Sequence, residues 1–134
     1  MDSIEKARKV IGIETSQLNR LAARLDKNFS KALGALKEAL KGGHKIVVIG
    51  VGKSEHIGNK FVATFNSTGA TTVGLNCQNA LHGDLGMLSV GDLVIALSHS
   101  GETSEMISLL PHAKKRASQI ITITGNTKST LAKY

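Results

Sequence analysis

The sequence predicts a doubly wound parallel α/β sheet, a three-layer α/β/α core with N-terminal helices, and three observations lead to that class. Two short runs, Ile46-Val47-Val48-Ile49 and Leu93-Val94-Ile95-Ala96-Leu97, are apolar without interruption, as strands buried on both faces are. Segments of helical periodicity separate these runs from each other and from two weaker strand-like runs. Each strong run is followed at once by a stretch rich in glycine and hydroxyl residues, where a strand hands over to a helix. Strands and helices alternating in this way imply right-handed crossovers and a parallel sheet covered on both sides.

From Ile4 to Leu25 apolar residues recur at helical spacing, through Val10, Ile11, Leu18 and Leu21, which predicts one amphipathic helix. A second runs from about Asn28 to Lys41 through Phe29, Leu33, Leu36 and Leu40, and Gly42-Gly43 stops it. The run from Ile46 is the first strand. Ile57 to Ser67 reads as a helix with Phe61, Val62 and Phe65 inward, and Thr71 to Leu75 as the second strand. A glycine-broken loop holding LHGDLGML leads to the third strand, from Leu93 to Leu97. The helix expected from about Thr103 to Arg116 contains Pro111, which removes one backbone bond and is expected to kink it. Ile120 to Thr124 is the fourth strand. The expected division is 1–43 for the N-terminal helices and 44–134 for the core, within one domain.

At 134 residues the chain suits one compact domain, and 41% hydrophobic with 20% charged residues is too apolar a mixture for disorder. No apolar run approaches the roughly 20 residues that span a bilayer, and the N-terminus lacks the apolar stretch of a signal peptide, so no membrane and a cytoplasmic location are expected. Cys77 is the single cysteine, which rules out an intrachain disulfide and a zinc site of several cysteines. The formal charge of +7 is unevenly spread: residues 1–60 hold 12 Lys or Arg against 6 acids, 61–113 hold 0 against 4, and 114–134 hold 5 against 0. It lies mostly on predicted helix surfaces, and with 3% aromatics there is little for bases to stack on, so no nucleic-acid partner is expected. His56 and His112 fall on predicted helices, and isolated histidines make no metal signature.

The chemistry concentrates in two loops. Gly50-Val51-Gly52-Lys53-Ser54 joins a strand to a helix, which aims free N–H groups and a hydroxyl from a positive helix end at an anion. A Walker A loop would need glycine where Val47 stands, and a dinucleotide fingerprint would need it at Glu55, so neither ATP nor NAD is indicated. Lys53 is either a solvated lysine paired with Glu55 or an anion or catalytic contact, and its loop favours the second. Ser98-His99-Ser100-Gly101-Glu102-Thr103 offers three hydroxyls at another such junction, more than helix capping requires and suited to a sugar phosphate. In a doubly wound sheet both loops open on the crevice where the winding reverses. Glu105 falls in the first turn of a helix, where a carboxylate is welcome in any case, and His82, in the sequence His82-Gly83-Asp84, reads either as a catalytic histidine or as one that orders its loop.

The segments GVGKSEHIGNK, NSTG, HGDLGM, IALSHSGETSE and ITITGN match, in order and spacing over residues 45 to 131, the pattern of sugar isomerase (SIS) domains, and the chain resembles the arabinose-5-phosphate isomerase family. The resemblance implies a flavodoxin-like fold and a sugar phosphate held at the positions of Gly52, Ser54, Ser98, His99, Ser100 and Thr103, with His99 acting mainly through its backbone. It also implies catalytic roles for Lys53, Glu105 and His82, no cofactor, and a homodimer or homotetramer. The implied reaction is interconversion of D-ribulose 5-phosphate and D-arabinose 5-phosphate through an enediol. A non-catalytic sugar-phosphate sensor, or an isomerase of another sugar phosphate such as a hexulose phosphate, would use the same pocket. Asn79 stands where the family usually has glutamate, and Asn76-Cys77 where it has His-Pro, which bears on the sugar. The family domain continues past the position of Tyr134 with a strand and helix that supply a further glutamate and histidine, so the chain is expected to be part of a longer domain.

Overall fold

The structure is a computed structural model describing residues 2–134. It divides into two compact units, one reaching to Leu33 and one spanning Gly34–Tyr134. The first holds α1 (Ser3–Arg24) and the opening of α2 (Lys27–Lys41). Helix α1 starts where a carboxylate favours it, Glu5 accepting the Asp2 N–H at 3.1 Å. None of its residues is buried, and Ile4, Val10, Ile11, Leu18 and Leu21 are each at least half exposed.

The second unit is built on β1 (Ile46–Gly50), β2 (Thr72–Asn76), β3 (Leu93–Leu97) and β4 (Gln119–Ile123), all parallel in the order β2-β1-β3-β4. Strand β1 continues through α3 (Lys53–Ser67) to β2, and β3 continues through α5 (Ser104–Lys114) to β4 on the opposite flank. The winding therefore reverses between β1 and β3, which lie side by side with Ile46 opposite Leu93. Both strands are buried along their whole length, which is why neither run contains a polar side chain.

Successive residues point to opposite faces of the sheet and divide the core in two. On one face Ile46, Val48, Leu93, Ile95 and Leu97 pack with Ala35 and Ala39 of α2 and with Phe61, Val62 and Phe65 of α3. On the other, Val47, Ile49, Val94 and Ala96 meet Met106, Leu109, Leu110 and Ala113 of α5, together with Leu88 and Leu131.

At the sheet end opposite the loops, one buried carboxylate ties three strand starts together. Asp92 accepts the Lys45 N–H at 3.1 Å and the Ser89 N–H at 2.8 Å, pairs with the Lys45 ammonium, and its carbonyl accepts the Ser118 N–H at 2.8 Å. Burial pushes its pKa up, but the Lys45 and Ser89 donors outweigh burial and hold the carboxyl below its ordinary range.

Two local features differ from the sequence reading. Helix α3 begins one turn early, at Lys53, because its first turn is all polar and carries no apolar period to announce it. The loop after β2 contains α4 (Cys77–Leu81) and a 3₁₀ turn at Asp84–Met87, both too short for periodicity to show. As expected, the helix of Pro111 continues past it, to Lys114. Among the described residues no helix is long and apolar enough to cross a membrane.

Candidate functional site

The β1–α3 turn is tight: a methyl group on Gly50 would lie 2.8 Å from the backbone nitrogen of Glu55, so only glycine fits. The Ser54 N–H folds back to the Val51 carbonyl at 3.2 Å and the Glu55 N–H to that of Gly52 at 3.1 Å. The N–H groups of Gly52 and Lys53 have no acceptor among the described residues and sit at the positive end of the 15-residue α3. Lys53 is exposed and forms no ion pair among the described residues. The pairing with Glu55 that the sequence allowed is absent; Glu55 instead accepts from Asn76 Nδ2 at 2.7 Å.

In the β3–α5 loop the hydroxyls first build the loop itself. Buried Ser98 accepts the Gly101 N–H on Oγ at 3.1 Å and shares a 2.8 Å hydrogen bond with Thr103 Oγ1, while Ser100 Oγ accepts the Glu102 N–H at 3.2 Å. The N–H groups of Ser100 and Thr103 have no acceptor among the described residues, so this loop too presents backbone donors at a helix start. His99 is held through its backbone, its carbonyl accepting the Gly125 N–H at 3.0 Å and the Thr124 hydroxyl at 3.3 Å.

Ser54, Ser98 and His99 line one cleft of about 270 Å³, bordered by Ile57, Leu97 and Ile123. A second, of about 180 Å³, lies between α3 and the end of β2, lined by Gly50, Glu55, Asn59, Asn76, Asn79 and Asp84. The structure thus brings Ser54 to Ser98 and His99, while Gly52, Lys53, Ser100 and Thr103 line neither cleft; nor does Glu105, half-buried in the first turn of α5. Glu105's own N–H and the Ser104 hydroxyl, 3.0 Å away, hold its carboxyl below the ordinary range. Burial, with the nearby charges of Glu105 and Glu55, pushes the Cys77 thiol up to about 12, so that thiol is inert at neutral pH. His82 is not brought in: it caps the end of α4, exposed, and lines neither cleft. Among the described residues no cluster of His, Cys, Asp or Glu could hold a metal ion.

Sequence reasoning passed over two carboxylates here. Glu55 read only as a partner for Lys53, yet it fixes Asn76, whose Oδ1 caps α4 by accepting the Gln78 N–H at 2.8 Å. Glu102 received no reading of its own, although an acid within a hydroxyl-rich loop at a helix start is itself a signal.

Fold and loops together define a parallel α/β domain with two donor-rich loops meeting at the switch point of its sheet. The chain matches the SIS domain over residues 39–134 and belongs to that family. It is 42% identical over 133 residues to arabinose 5-phosphate isomerase KdsD of Pseudomonas aeruginosa, covering 99% of this chain and 40% of that protein. Among solved structures it resembles a candidate phosphosugar isomerase involved in capsule formation from Bacteroides fragilis, with a TM-score of 0.92, 32% identity, and coverage of 98% of this chain and 69% of that one. It also resembles an E. coli CFT073 protein, c3406, in complex with arabinose 5-phosphate, with a TM-score of 0.79, 35% identity, and coverage of 98% and 70%. The chain spans about two fifths of the length of the curated relatives it matches.

Proposed function

We propose that this chain binds a sugar phosphate between the β1–α3 turn and the β3–α5 loop, and forms part of a cytoplasmic isomerase that interconverts D-ribulose 5-phosphate and D-arabinose 5-phosphate. The observation that carries the reading is the shared cleft of Ser54, Ser98 and His99 at the switch point. The names of the relatives, and the arabinose 5-phosphate complex of a structural neighbour, support it. The phosphate takes the N–H groups of Gly52, Ser100 and Thr103 and the hydroxyls of Ser54, Ser98, Ser100 and Thr103. Holding the phosphate fixes C1 and C2 of the sugar beside the catalytic groups. Glu105, ionised at neutral pH, removes the C2 proton of the aldose and returns a proton to C1, the electron pair moving through an enediol. Lys53 stabilises the oxygen on which negative charge develops. His82, the other candidate base, lies exposed at the end of α4, so the proton transfer is assigned to Glu105.

Titration of ribulose 5-phosphate into the chain, followed by backbone amide shifts, is expected to perturb residues 50–54 and 98–103. Shifts confined to another surface would sink the reading.

We further propose that α1 packs through its apolar stripe against a second copy, giving a homodimer or homotetramer. A stripe of this extent left in water is unusual in a monomer. Sedimentation velocity at high micromolar concentration is expected to show a dimer or larger species, and a monomer alone would count against it.

A further inference from the structure

A carboxylate inside a loop that accepts a phosphate opposes the anion, and its presence at Glu102 needs a physical reason. The structure gives one in the segment after β4. Glu102 Oε1 accepts the Thr130 N–H at 2.7 Å, the Leu131 N–H donates to the Gly101 carbonyl at 3.0 Å, and the Gly125 N–H donates to the His99 carbonyl at 3.0 Å. The loop is thereby tethered at three of its residues to residues 125–131. That segment is anchored in its turn, for Ser129 and Leu131 are fully buried and Leu131 belongs to the core beneath α5. Two of the tethers are backbone pairs at Gly101 and Gly125, where a methyl group would collide with Ser129 and His99; the third depends on the side chain at position 102.

We infer that Glu102 is a positioning residue, whose carboxylate grips the Thr130 N–H and so holds the 98–103 loop in its phosphate-accepting shape. The inference rests on the phosphate reading of that loop. It accounts for the acid's position, since the charge is taken up by a donor of the neighbouring segment. Consistent with this, the Thr130 donor, with Lys133 adding, holds the carboxyl below its ordinary range.

The test compares inorganic phosphate binding, read by amide shifts, in the wild type, Glu102→Ala and Glu102→Gln, with hydrogen exchange measured on the same samples. Charge alone predicts that Glu102→Ala tightens phosphate binding by removing a nearby negative group. Positioning predicts the opposite sign: affinity falls about three- to tenfold, and amides 98–103 exchange faster while the urea midpoint holds. Glu102→Gln is expected to stay within about twofold of the wild type, because its amide oxygen still accepts the Thr130 N–H. Phosphate bound as tightly or more tightly by the alanine variant, or a glutamine variant as weak as alanine, overturns the inference. So does an unprotected Thr130 amide in the wild type, a result that needs no variant to fold. If the wild type binds no phosphate at this loop, the functional reading fails, and the exchange data still judge the tether separately.

Discussion

Replacing Gly101 with alanine is expected to remove phosphate binding at the β3–α5 loop and to lower the stability of the chain by about 2–4 kcal/mol, from a left-handed backbone and a steric collision together. Gly101 has φ +69, a conformation that costs an alanine about 1 kcal/mol. A methyl group there would stand 2.1 Å from Ser129 Oγ, 2.4 Å from Ser129 Cβ and 2.8 Å from Thr124 Oγ1. Ser129 is fully buried and cannot swing aside, so the loop itself must move. That movement breaks the Gly101 N–H bond to Ser98 Oγ and disperses the N–H groups of Ser100 and Thr103. Urea unfolding and phosphate titration read the two effects. The double variant Gly101→Ala with Ser129→Gly is expected to recover part of the stability, because it removes the two closest contacts and leaves the 2.8 Å approach to Thr124 Oγ1 and the backbone strain. An unchanged urea midpoint in the single variant would show that the close approach at Gly101 is not maintained in solution.

The parts of the fold that were legible in the sequence are those where burial leaves no room for polar residues. Strands β1 and β3 declare themselves because both faces are covered, and the helical period of α2 from Gly34 onward and of α5 reports their packed stripes. Strand β4 is weaker in sequence for the same physical reason reversed: it lies at the sheet edge, and Ile123 is 47% exposed. What stayed hidden is structure made by side-chain hydrogen bonds rather than by period. The fold of residues 76–87 hangs on Asn76, which caps α4 and is itself held by Glu55, and no spacing rule reveals that link. The position of His82 depends on that loop, so the sequence could nominate the histidine without placing it.

The two loops proposed to hold phosphate were legible as loops, since glycine and hydroxyl residues follow buried strands in both. Their internal wiring was not. A reading by residue type treats the hydroxyls of Ser98, Ser100 and Thr103 as three ligand contacts, whereas each also accepts or shares a bond that shapes the loop. Substituting Ser98 would therefore alter geometry as well as remove a donor, and a loss of binding there would not by itself identify a phosphate contact.

Lys53 is where the isomerase reading is most exposed to test. Changing it to alanine is expected to reduce sugar-phosphate interconversion by the full-length protein about 10²- to 10³-fold while weakening phosphate binding only a few-fold. The asymmetry follows from the turn: the N–H groups of Gly52 and Lys53 and the Ser54 hydroxyl remain after the substitution, so the phosphate keeps its cradle. The ammonium has no carboxylate partner among the described residues, so alanine leaves no buried charge unpaired and stability should hold. Rate and affinity falling together would make Lys53 a phosphate contact, and an unchanged rate would exclude both roles. Glu105→Gln supplies the matching test of the base, since the amide keeps the shape but cannot take the proton. The pH profile adds a sign. The Glu105 carboxyl is held below its ordinary range, so the ionised base persists across neutral pH and is lost only as pH falls through that depressed pKa. Its acid limb is therefore expected on the acidic side of the ordinary carboxylate range in kcat/KM, and a limb near neutrality would point to a histidine as the base.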